Sequence, residues 1–195
     1  MEADTNFFKI SHQNIEPKQG MILVAEPGLD DPYFKRSIVL VVEHGESGSM
    51  GFVLNKLLDN NISDMVEEFP PNDIALMLGG PVGIDSLHFI HTLGDIIPDA
   101  IHICHSIYWG GDFEVLKKLF ASKKIKDNQV KFFIGHAGWV RGQLLEELSQ
   151  ESWVLVNISE PDIMNNGTDL WRKVVGQLGN NYRTWMNYPE DPHLN

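Results

Sequence analysis

A chain of 195 residues with 15 basic and 27 acidic side chains carries a formal net charge of −12. That length holds one substantial core, and that charge argues against a surface that coats nucleic acid, which takes a basic face. Hydrophobic residues at 43% and charged residues at 22% are ordinary for a globular protein.

The single cysteine, Cys104, excludes an intrachain disulfide and suits a reducing compartment. The start, Met1-Glu2-Ala3-Asp4-Thr5, is acidic and polar, without the basic and apolar regions of a signal peptide. No apolar run approaches the ~18 residues of a membrane span. The expected location is the cytoplasm, with no membrane association.

Residues 1–19 are polar with apolar anchors at Phe7, Phe8, Ile10 and Ile15, and read as an N-terminal arm docking as a short helix. Residues 21–25 form a continuous apolar run closed by Glu26-Pro27-Gly28. Residues 37–43 form a second, rich in β-branched side chains. Continuous apolarity marks strands covered on both faces, and Asp30-Asp31-Pro32 between them is turn chemistry. A two-glycine loop at 44–49 leads into a returning strand at 50–55, so the pair reads as a hairpin.

Asn61 is placed to cap a helix with Ile62, Met65, Val66 and Phe69 at helical spacing, stopped by Pro70-Pro71. Residues 74–78 read as a strand ending at Gly79-Gly80-Pro81. Residues 87–92 and 100–108 read as further strands. Gly110-Gly111-Asp112 opens a helix with Phe113, Leu116, Leu119 and Phe120 as its buried stripe. Residues 132–148 then combine an apolar run, two glycines (Gly135 and Gly138) and a helical pattern, which predicts a strand, a tight turn and a helix. Residues 153–158 are the next strand. Thr168 caps a helix carrying Leu170, Trp171, Val174, Val175 and Leu178, and Gly179 ends it. Residues 188–195 read as an extended surface tail. Nothing divides the chain, so one domain spanning 1–195 is expected.

The motifs in view are Gly20-Met21-Ile22-Leu23-Val24-Ala25 with Pro27, then Asp31-Pro32-Tyr33-Phe34-Lys35-Arg36-Ser37 and Val42-Glu43-His44. Gly51-Phe52-Val53-Leu54-Asn55-Lys56, Gly79-Gly80-Pro81-Val82, the run from Leu87 to His91 and Gly110-Gly111-Asp112 follow. Gly138-Trp139 with Gly142-Gln143-Leu144 and Glu147, and then Ser152-Trp153, complete the series. Their order and spacing resemble the AlgH/YqgE-like family of bacterial proteins, from about residue 20 to 195. The resemblance implies an α+β single domain, a mixed forked β-sheet rolled into a partial barrel with helices packed outside. It brings no established activity and no catalytic residue set, and some members carry the label of transcriptional regulator. The family usually has a tyrosine where His136 stands, so a role needing a phenol there does not transfer.

His88, His91, His102 and His105 form two pairs at a three-residue spacing, and imidazole suits zinc and other borderline metals. On strands, however, residues three apart face opposite ways. The expectation is one buried, hydrogen-bonded histidine and several surface ones, with no metal and no cofactor. Cys104 beside His105 reads as a small buried residue rather than a reactive thiol.

His136 and Glu147 offer a base and its orienter, and Ser37 or Ser152 a nucleophile. Yet the chain has no nucleophile elbow, phosphate loop or dinucleotide fingerprint. The Gly-x-x-Gly-Trp segment reads as a packing corner in which Gln143 and Glu147 satisfy backbone groups. Arg36 and Asn55 stand at predicted strand ends, where small-molecule sites form, and the Asn55 amide can bridge loops. Lys117, Lys118, Lys123, Lys124, Lys126 and Lys131 read as a solvated helix face and loop.

No residue is assigned as catalytic. The ligand-binding candidates are Arg36, Asn55, His91, Trp139, Gln143 and Glu147. The expected function is a non-enzymatic regulatory or binding domain acting through a protein or small-molecule partner, monomeric by default. The alternative is a weak hydrolase or metal-assisted enzyme using the corner around His91, His136, Trp139 and Glu147.

Overall fold

The computed structural model describes residues 15–126, 128–167 and 169–189. Its strands are β1 (Ile22–Ala25), β2 (Ile38–Gly45), β3 (Gly48–Val53), β4 (Leu57–Asn61), β5 (Ala75–Leu78), β6 (Val82–His91), β7 (Ile101–Cys104), β8 (Ile107–Trp109), β9 (Val130–Val140) and β10 (Trp153–Val156). Its helices are α1 (Ile62–Met65), α2 (Phe113–Ala121), α3 (Gln143–Ser149), α4 (Glu160–Ile163), α5 (Leu170–Gln177) and α6 (Arg183–Met186). None of these helices is long and apolar enough to cross a membrane.

The strands join in one sheet with the path β10-β1-β2-β3-β9-β6-β8-β7, and β5 and β4 branch from β9. The β5–β9 pairing is parallel and the rest are antiparallel. The sheet curls without closing, so the architecture is a mixed α+β domain built on a partial barrel.

The fork sits inside β9. Phe132, Phe133 and Ile134 pair with Leu76, Met77 and Leu78 of β5. Ala137, Gly138, Trp139 and Val140 pair with β3 instead. At the change of partner Gly135 takes φ +66°, and Gly79-Gly80 pass directly against it. A Cβ on Gly79 would stand 2.2 Å from the Gly135 carbonyl oxygen, and one on Gly80 2.3 Å from the His136 carbonyl carbon. Only glycine fits such an approach.

The expected tight turn at Gly135 and Gly138 is therefore corrected. β9 runs through both glycines, and the chain reverses at Arg141-Gly142 before α3. Gly135 works as a kink that lets one strand serve two branches, and the face presented by each side chain changes across it. Phe133 enters the largest core, Phe132 and Ile134 a second, and Ala137 and Trp139 a third.

The largest core lies between the curled sheet and helices α4 to α6. The α5 side chains Leu170, Trp171, Val174 and Val175 repeat at helical spacing and are all buried, each such burial contributing about 1.5–3 kcal/mol. The second core covers the β5-β9-β6 branch with Ile62 of α1 and Leu116 of α2. Asp112 caps α2 by accepting from the Glu114 and Val115 amides at 2.9 and 3.0 Å.

Other expectations change. The strand at 100–108 is two strands, β7 and β8, joined by a tight turn in which His105 takes φ +50°. No glycine or proline marks that turn. The helix after Asn61 is a single turn, Ile62–Met65, with Met65 exposed. The five residues before it form β4, an edge strand too polar to read as one. Gly179, at φ +96°, does follow the end of α5. Thr168, most of the N-terminal arm (1–14) and most of the tail (190–195) lie outside the described residues.

Candidate functional site

Trp139, Gln143 and Glu147 come together as the sequence suggested, with partners it did not show. Trp139 is at the end of β9, and Gln143 and Glu147 are one turn apart on α3. One carboxylate oxygen, Glu147 Oε2, accepts from the indole Nε1 of Trp139 and of Trp153, each at 2.8 Å. The other, Oε1, accepts from Gln143 Nε2 at 2.9 Å. Gln143 Oε1 in turn accepts from the Val140 amide at 3.0 Å. Phe34 stacks on Trp139 at 6.2 Å and meets Trp153 edge-on at 5.5 Å. Both indoles are almost wholly buried. Three donors on one carboxylate make this corner a clamp between β9, α3 and β10. Only Gln143 serves a backbone group, where both side chains had been expected to.

Arg36 and Asn55 form a joint. Asn55 Oδ1 accepts from the Ile38 amide at 2.9 Å, and Nδ2 donates to the Arg36 carbonyl at 2.9 Å. Lys56 Nζ donates to the Lys35 carbonyl at 2.8 Å. Arg36 has φ +51°, a left-handed backbone that a non-glycine residue rarely adopts. Its guanidinium lies 5.1 Å over the Trp171 ring and donates to the Tyr188 carbonyl. These side chains bridge loops, and both ends of the Asn55 amide are engaged. The Ser37 hydroxyl is buried in the same joint without a hydrogen-bond partner.

His91 is fully buried. Its Nε2–H donates to the Gly110 carbonyl at 2.9 Å, and Nδ1 accepts from the Leu93 amide at 3.1 Å, which fixes a neutral tautomer. It stacks on Tyr108 and Phe89. Both ring nitrogens are engaged, so among His88, His91, His102 and His105 it is His91 that is buried and hydrogen-bonded; His102 and His105 are exposed, whereas His88, expected at the surface, is half-buried. His91 is also remote from the Trp139 corner. His91 pairs with Val130, whereas Val82, at the other end of β6, pairs with His136. Six residue steps of strand separate Val130 from His136, roughly 20 Å.

Burial holds the His91 imidazole below its ordinary pKa, with the Gly110 hydrogen bond opposing. As pH falls through about 6.5 the unfolded chain binds a proton before the folded one does. Stability is therefore complete above that pH and is lost as pH drops towards the folded pKa. The melting temperature is expected to be lower at pH 5 than at pH 7.5, with a shallower dependence in His91→Phe. Equal dependence in the two proteins would exclude His91 as the cause.

The AlgH-like family model matches residues 22–183, which covers the clamp, the joint and the fork. The chain belongs to the AlgH-like family. It is 47% identical to a UPF0301 protein of Parabacteroides distasonis and 39% identical to one of Bacteroides thetaiotaomicron, each alignment covering all of both chains. Among solved structures it resembles a crystal structure of a Corynebacterium diphtheriae protein, with TM-score 0.76 at 24% identity over 95% of this chain and 99% of that one. The solution structure of the AlgH protein from Pseudomonas aeruginosa superposes with TM-score 0.70 at 24% identity, over 87% and 94%. These two likenesses show the shared fold.

Two features of this AlgH-like chain were missed by sequence reasoning. Lys131 was read as part of a solvated basic stretch, and this is corrected. Lys118, Lys123, Lys124 and Lys126 are exposed, but Lys131 is fully buried on β9. Its ammonium donates to the carbonyls of Leu54 at 3.4 Å, Ile163 at 3.0 Å and Asn165 at 2.5 Å. It thereby ties β9 to the exit of β3 and the end of α4. Burial lowers its pKa to about 7.

The second feature is a pair, His88 and His136, on neighbouring strands with ring centroids 5.6 Å apart. His136 does not join the Trp139 clamp. Its ring lies beside Gly83 of β6 and Gly138. His88 packs on Phe52 and Trp109.

Cys104 is half-buried and lines a cleft of about 710 Å³ with Lys18, Gln19, His105 and Asn157. Burial, with Glu160 nearby, pushes the thiol pKa up, the opposite of what a reactive thiolate needs.

Proposed function

We propose that this AlgH-like chain is a non-enzymatic cytoplasmic domain with a binding and regulatory role, acting through a protein or a small ligand. The observation that carries this reading is the clamp. Glu147 would be the natural general base, and its carboxylate is already occupied by three donors. His91 and Asn55 likewise spend their polar atoms on the fold. A net charge of −12 favours a protein or small-molecule partner over direct contact with nucleic acid. The exposed apolar side chains Val82, Ile84 and Val140, on β6 and β9, add contact surface for such a partner. The regulatory part of the reading, towards gene expression, follows from the label that some members of the family carry.

The test pairs two measurements on purified protein: a broad hydrolase and transferase substrate screen, and mass spectrometry of copurifying molecules. A retained partner without turnover is expected. Turnover that disappears in Glu147→Gln or His136→Phe, with the fold intact by circular dichroism, would overturn the reading in favour of an enzyme.

A further inference from the structure

His88 and His136, both half-buried, meet beside the largest core, where His88 packs on Phe52 and Trp109. Their ring planes are nearly perpendicular, at 89°. His88 Nε2 and His136 Nδ1 are both buried, and neither has a hydrogen-bond partner. Most buried side-chain nitrogens in folded proteins are paired, so two unpaired ones in adjacent rings ask for an occupant. The third polar group is Ser86 Oγ. A Cβ placed on Gly83 would lie 3.3 Å from that hydroxyl and 3.6 Å from His136 Nδ1, so both border the same small space.

The spacing suits a shared ion. Two imidazoles on one tetrahedral ion, with metal–nitrogen bonds of ~2.0–2.1 Å, place their centroids roughly 5 Å apart. The observed 5.6 Å is within a small side-chain adjustment of that. We propose that His88 Nε2 and His136 Nδ1 together bind one divalent transition-metal ion of the imidazole-preferring class, such as zinc, copper(II) or nickel, with Ser86 Oγ or water completing its coordination.

The donor set decides the class. Hard ions such as magnesium and calcium take oxygen ligands, whereas neutral imidazole suits these borderline metals. Burial holds both rings below the ordinary imidazole pKa, so their lone pairs are available at neutral pH. Among the described residues no three His, Cys, Asp or Glu side chains converge on one point. The protein thus supplies two nitrogens and leaves positions open, unlike a closed structural zinc site. The proposal stands apart from the reading of the domain as a partner-binding protein and holds whichever partner is found.

Calorimetric titration of the full chain with Zn²⁺, Cu²⁺ and Ni²⁺ tests it, beside His88→Phe and His136→Phe, which keep a planar ring in each place. One ion per chain is expected, with affinity reduced in each variant by at least the roughly 10-fold that loss of a supporting contact costs. Nitrogen-15 spectra of the unaltered protein give a readout that does not depend on a variant folding. The His88 Nε2 and His136 Nδ1 signals should shift together on addition of one equivalent. The proposal fails if no ion binds, or if binding is unchanged in both variants. It fails equally if the shifts map to His102 or His105, or if a water alone bridges the two nitrogens.

Discussion

Glu147→Ala is expected to destabilise the fold by about 3–5 kcal/mol, since hydrogen bonds to a charged group contribute about 1.5–3 kcal/mol each and an orphaned buried donor costs about 1–3. The substitution leaves the indole N–H groups of Trp139 and Trp153 and the Gln143 amide without their acceptor at once. Both indoles sit in the third core, so water cannot readily take the place of the carboxylate. In a chain of this length the melting temperature should fall by on the order of 10 °C. Glu147→Gln keeps an acceptor for the indoles but turns an amide donor towards Gln143 or towards them, and should lose roughly half as much. Urea unfolding followed by tryptophan fluorescence reads both variants. A loss below about 1 kcal/mol for Glu147→Ala would mean that the indoles are satisfied some other way.

Lys131 sets the second large effect, which appears as a pH dependence. Its pKa is about 7 in the folded protein against an ordinary 10.5. Between those values the unfolded chain holds one more proton than the folded one, so stability rises with pH across the window. Full titration amounts to ~4–5 kcal/mol, at about 1.36 kcal/mol for each pH unit. Well below pH 7 both states are protonated at Lys131 and its contribution to the slope vanishes. Lys131→Met fills a similar volume without a charge and should abolish this rise. At pH 7 the variant also leaves the Leu54, Ile163 and Asn165 carbonyls without the ammonium, which offsets the relief from desolvating it. The measurement is the difference in unfolding free energy between the two proteins from pH 7 to pH 9.5. Contributions from Lys56, Cys104 and Tyr182, whose pKa values also move on folding, largely cancel in that difference. A parallel pair of curves would show that the buried amine does not titrate in this window.

The sequence alone determined the local elements and the family. The apolar runs of β1, β2 and β9, the start of α2 at Gly110-Gly111-Asp112 with its buried stripe, and the helical face of α5 with Gly179 after it were legible. Each depends on residues a few positions apart. The ordered motifs from Gly20 to Trp153 likewise carried the partial-barrel architecture by resemblance. Trp139, Gln143 and Glu147 could be placed in one corner because Gln143 and Glu147 stand one turn apart on α3 and Trp139 lies four residues before Gln143 at the end of β9, but Trp153 and Phe34 come from other strands and loops.

What only the tertiary structure decided is how remote strands meet. Gly135 looks the same in sequence whether it reverses a chain or kinks a strand. The choice was made by Gly79-Gly80, just after β5, pressing against it. Lys131 is one lysine among six until the fork encloses it. The three-residue histidine spacing led nowhere, because the rings that approach each other, His88 and His136, are set by the register of β6 on β9. Side-chain partners across a sheet depend on register and bulges, which arise from contacts distant in the chain, so no local pattern records them.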